Sequence, residues 1–108
     1  MKKIDTEQLA GAAQKSFTLA RDGRLSAVQQ GNMLTQGMRL RASLISALSA
    51  EFADGVKQVD EANQQLTDLN QGLLDSATAI TNIADTIKQA ASAATLLEKL
   101  LKKAVSVL

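Results

Sequence analysis

Protein chemistry needs a positioned acid, base, nucleophile or metal ligand, and this sequence has few residue types that supply one. It contains no histidine, cysteine, tyrosine or tryptophan. That removes the commonest general base, the thiolate nucleophile and the usual soft metal ligands. The carboxylates that remain are poorly spaced for a site. Asp60 and Glu61 are neighbours that point to different parts of a helix surface, Asp54 has no evident partner, and no calcium-loop spacing occurs. The six glycines are isolated. No Ser-x-x-Lys, Gly-x-Ser-x-Gly, phosphate loop or Gly-x-Gly-x-x-Gly is present, so no enzyme and no cofactor is expected.

Two features keep some chemical interest. Arg41 stands in a row of residues where an apolar side chain belongs. Either its stem lies along a helix seam with the guanidinium reaching out to water, or it fixes register by meeting a carboxylate on a partner helix. The segment 94–108 puts Leu97, Leu101 and Leu108 on one helical face and Lys99, Lys102 and Lys103 on the other. A basic amphipathic helix of this kind can lie on anionic lipid, and it can equally be the last helix of a bundle with its lysines favouring the helix C-terminus.

The row that Arg41 interrupts is the dominant pattern of the chain. Steps of seven from Ala10 reach Phe17, Met38, Ile45, Phe52, Val59, Leu66, Leu73, Ile80, Ile87, Ala94, Leu101 and Leu108, with companions three residues on at Ala13, Leu34, Leu48, Ala62, Leu69, Ile83, Ala90 and Leu97. Alternating spacings of three and four make one stripe on an α-helix, and such a stripe must be covered. Arg24, Gly31, Arg41, Gly55 and Ser76 break it. It is narrow around 59–73 and widens beyond Ala77.

The elements follow from this pattern. The expected fold is all-α: a short N-terminal helix and a long heptad-patterned hairpin or bundle, coiled-coil-like and self-associating, in one domain spanning 1–108. Asp5 caps the first helix, with Gln8 as its reciprocal partner and Ile4 against Leu9 as a hydrophobic staple. Glycine, aspartate and asparagine place turns at Arg21-Asp22-Gly23, Ala53-Asp54-Gly55 and Asn70-Gln71-Gly72. The helices then read as 5–21, 25–53 and 56–106, with a break near 70–73. The heptad keeps its phase across both Gly55 and Gly72, which favours continuous helix at one or both. A fold-back at Gly55 would set the acidic 57–85 stretch against Arg39 and Arg41, an arrangement that exposed ion pairs favour by only about 0.5 kcal/mol each.

Composition bounds the remaining functions. Proline is absent from 108 residues where about five would be usual, which permits long helices. Eighteen alanines and only two aromatics, Phe17 and Phe52, leave a core of small side chains. The net charge of +1 and the acidic middle of the chain argue against nucleic acid as a partner. No secretory leader and no membrane-length apolar run is seen, so the cytoplasm is the expected location, with signal-independent export open.

The expected function is therefore structural or adaptor, without catalysis. It acts by helix–helix association with a second copy or another helical protein through Met38, Ile45, Phe52, Val59, Leu66, Leu73, Ile80, Ile87 and Leu97, with Arg41 setting register. One alternative is a membrane-active helix at 94–108. A further alternative is a subunit of a secreted or phage-type helical filament, which this proline-free, aromatic-poor chain resembles in general character.

Overall fold

Asp5 opens the first helix as expected: its carboxylate accepts from the Gln8 amide at 3.1 Å, and Ile4 and Leu9 are both buried beside it. Gln8 does not reach back to the cap. Its side chain carbonyl instead accepts from Asn70 on a distant helix. In the computed structural model, which describes residues 1–106, the helices are α1 (Thr6–Ala20), α2 (Ala27–Ala47), α3 (Lys57–Thr78) and α4 (Ile83–Leu101). A short 3₁₀ turn, Ile80–Asn82, joins α3 to α4, and two-residue strands β1 (Ala50–Glu51) and β2 (Val105–Ser106) pair antiparallel.

The fold is a four-helix bundle. The packed pairs are α1 with α2, α2 with α4, α4 with α3 and α3 with α1, which leaves α2 and α3 at opposite corners. The α2–α3 connection therefore crosses one end of the bundle, where it pairs with Lys2 and with Val105–Ser106. Phe52 exchanges backbone hydrogen bonds with Lys2 at 2.7 and 2.9 Å, while Ala50 and Glu51 pair with Ser106 and Val105. Ion pairs fasten the same end: the amino terminus to Asp54 at 3.0 Å, Lys3 to Glu51 at 3.4 Å and Lys2 to Asp60 at 2.6 Å.

At the other end, Asp22 organises the α1–α2 turn. Its carboxylate accepts from the Arg24 amide and guanidinium, and Arg24 reaches on to the Ala77 carbonyl at 2.7 Å. These hydrogen bonds from Arg24 pull the Asp22 pKa down to about 2. No glycine adopts positive φ, so Gly23 turns the chain without the left-handed conformation its type suggests.

The core is built from Leu9, Met33, Leu40, Phe52, Val59, Leu66, Leu69, Leu73 and Leu97, all 0 or 1% exposed, with alanines between them. Small residues set the helix spacing. A Cβ on Gly37 would lie 3.1 Å from the Phe17 ring, and one on Gly72 would lie 2.5 Å from the Gln89 amide oxygen, so α1–α2 and α3–α4 approach closely at those points. The buried Ser76 and Thr86 hydroxyls bond each other at 2.6 Å across α3 and α4. Among the described residues no buried side-chain polar atom lacks a partner.

Two expectations change here. The third helix does not run from 56 to 106, and Gly72 is not a turn; the chain reverses at 79–82. That turn has neither glycine nor proline, only a run of β-branched residues (Thr78, Ile80, Thr81, Ile83) around Asn82, and the heptad phase happens to survive it. The acidic stretch does not lie along α2 either. Arg39 bonds Glu98 on α4, at 2.7 and 2.9 Å, while α3 packs beside α1.

Candidate protein interface

Helix α2 carries two apolar rows offset by one residue, which places them about 100° apart around the helix. The inner row, Met33, Gly37, Leu40, Leu44 and Ala47, faces α1 and α4 and is largely buried. The outer row follows the heptad positions of the sequence: Gly31, Leu34, Met38, Arg41, Ile45 and Leu48, flanked by Val28. Its apolar members stand in water, with Val28 73%, Leu34 45%, Met38 58%, Ile45 65% and Leu48 69% exposed. Leu74 on α3 and Met1 are the other large apolar residues among those described as exposed. Five large apolar side chains along one helix make a contiguous patch of the kind that marks an association surface.

The helix carries this load from a well-made N-terminus. Ser26 accepts from the Gln29 amide and Gln29 returns the bond, a complete capping box. Residues 23–50 contain no aspartate or glutamate, so the only charges on α2 are Arg39 and Arg41. Arg39 is taken up by Glu98 and by Thr95 at 3.1 Å. That pairing holds the Glu98 carboxyl below the ordinary glutamate range and raises the Arg39 guanidinium. It ties α2 to α4 along one flank of the outer row. Arg41 is exposed within the row itself, in the position that interrupts the apolar series.

The other residues expected to share one stripe are divided by the fold. Phe52, Val59, Leu66, Leu73 and Leu97 lie in the core of the single chain, and Ile80 and Ile87 are half-buried against it. The first five are enclosed within the single chain. Met38 and Ile45, expected as contacts of the same stripe, stand on its outside. The segment suggested for lipid contact is also divided. Leu97 is buried and Leu101 half-buried against the core, Lys99, Lys102 and Lys103 are exposed, and Leu108 lies outside the described residues. A lipid surface would have to draw Leu97 out of the bundle.

Sequence reasoning did not single out Val28, Leu34 and Leu48 as contact residues, although Leu34 and Leu48 were on the heptad. The missing signal was direction: α2 has two rows and only one can face in.

A groove of about 410 Å³ between α3 and α4 is open to solvent and lined by Glu61, Gln65, Lys99 and small or aliphatic neighbours. Among the described residues no three acidic groups converge on a metal position, and no helix is long and apolar enough to cross a membrane. Comparisons with protein-family models, with curated proteins and with solved structures find no match to this chain.

Proposed function

We propose that the protein is a non-catalytic structural or adaptor module that recognises a partner helix along the outer face of α2. The observation that carries this reading is the exposed apolar row from Val28 to Leu48 on a helix whose neighbouring face already fills the core. Burying apolar surface yields about 25 cal/mol per Å², so leaving five large side chains in water forgoes several kcal/mol that a covering helix would recover. The row has the 3–4 spacing that fits another helix, and the polar flanks of α2 confine the contact to that line.

The test separates an association row from a structural one. Ile45→Lys and Met38→Lys should leave the melting temperature of dilute protein unchanged, because neither side chain packs in the core. A designed amphipathic helix of α2's length, with leucine at every a and d position, should shift amide resonances along residues 28–48 of the wild type and leave Ile45→Lys unaffected. Shifts spread over the other helices, no binding, or a melting temperature lowered by the lysines would each overturn the reading.

A further inference from the structure

Four glycines lie within or against helices that other residues could fill, and three of them face something. A Cβ on Gly11 would touch Lys15 and Asn70, one on Gly37 would press on Phe17 and Ser16, and one on Gly72 would collide with Gln89. Gly31 is in the first part of α2, on the outer row, and a Cβ there would meet nothing within 4 Å. Glycine inside a helix is about 0.5–1 kcal/mol worse than alanine. Nothing within the chain requires it at 31, whereas a close neighbour outside the chain would.

We propose that the outer face of α2 pairs antiparallel with α2 of a second copy, Gly31 of each receiving Leu48 of the other; this rests on the reading of that face as a helix-docking surface. In an antiparallel helix pair each a position meets a d position of the partner helix. Taking Gly31, Met38 and Ile45 as a and Leu34, Arg41 and Leu48 as d, one register uses every residue of the row: 31 with 48, 34 with 45, and 38 with 41. The smallest residue of the row then meets a leucine and not a second glycine. Met38, unbranched and adaptable, lies against the aliphatic stem of Arg41, whose guanidinium can extend along the seam to water. A parallel pair would stack Gly31 on Gly31, leaving a gap, and Arg41 on Arg41, placing two cations in one layer.

The net charge of +1 sets up little overall repulsion between copies. The row's one charge, Arg41, comes within about 4.5 Å along the axis of its own image, so the two guanidiniums must extend apart into water, a cost smaller than two cations in one layer. The area sets the strength. A single 21-residue helix is about 30 Å long and about 10 Å wide, a smaller footprint than the roughly 800 Å² per partner of a standard stable interface. The dimer is therefore a concentration-dependent one.

Because the chain has no cysteine, single cysteines report register cleanly. Sedimentation equilibrium should show the mass rising with concentration from 11.4 kDa towards twice that value, and Ile45→Lys should hold it at the monomer. Leu34→Cys and Ile45→Cys, each oxidised alone, should not cross-link, since equal positions would be about 16 Å apart along the axis at 1.5 Å per residue. Mixed together they should give the 34–45 disulfide. Gly31→Ala should weaken dimerisation several-fold while raising the melting temperature of the dilute monomer. Cross-linking of each cysteine variant to itself would show a parallel pair and overturn the proposal while the docking face stands. A monomer at every concentration that still binds the designed helix on residues 28–48 would overturn it in the same way. A dimer insensitive to Ile45→Lys, or a monomer that binds no helix, would overturn both.

Discussion

Helices α2 and α3 occupy opposite corners of the bundle, are nearly equal in length at 21 and 22 residues, and bury one apolar face each. Their outer faces have opposite chemistry. Helix α3 shows Gln58, Glu61, Gln64, Asp68, Gln71 and Asp75 to water, with Leu74 as its one large apolar exception, and Gln64–Asp68 and Gln71–Asp75 bond along the surface at 3.0 Å. Helix α2 shows a second hydrophobic row. The same position in the same fold thus yields a finished surface in one case and an unfinished one in the other. The excess on α2 is the surface that the proposed helix contact would cover.

Substitutions on both helices can break or sharpen this contrast. The largest effect belongs to the buried side of α3: Leu66→Ala should cost about 2–5 kcal/mol by urea unfolding, since Leu66 is 0% exposed, whereas Ile45→Ala on α2 should stay within about 0.5 kcal/mol in dilute protein. Equal losses would remove the distinction. Next comes Gly37→Ala on the inner face of α2, where the new methyl forces Phe17 and Ser16 to give way; a loss of about 1–3 kcal/mol is expected.

Gly31→Ala, on the outer face of the same helix, should go the other way, gaining about 0.5–1 kcal/mol in the dilute monomer. The opposite signs of these two glycine changes are the sharpest single check on which side of α2 faces in. The smallest effect is in acid. Asp22, held at about 2 by Arg24, and Glu98, lowered by Arg39, have folded-state values below their unfolded ones. Their contribution is present in full above the ordinary carboxylate range and is lost as pH falls from about 4 towards 2. Asp22→Asn should flatten that part of the stability–pH profile measured by thermal melts.

Several local features were legible in the sequence because their causes are local. The Asp5 cap, the Ile4–Leu9 staple and the turns near residues 22 and 54 each depend on a few adjacent residues, and the all-helical character follows from periodicity and the absence of proline. The turn at 79–82 was not legible. It lacks the usual turn residues, and the spacing from Leu73 and Ser76 to Ile80 and Ile83 continues the count as though the helix had not stopped. The direction of α2 was hidden for a different reason. Counting by size ranks Leu34, Met38, Ile45 and Leu48 above a row that contains Gly37 and Ala47, yet the small Gly37 is what lets α2 approach α1. Packing rewards closeness where pattern counting rewards bulk.

Lys2 and Val105–Ser106 both pair with the crossing segment 50–52, so these two stretches lie at the same end of a body 42 Å long. In the proposed antiparallel pair, the two copies would point these ends in opposite directions, on the order of one body length apart. Such a pair would be bipolar, with the geometry of a spacer.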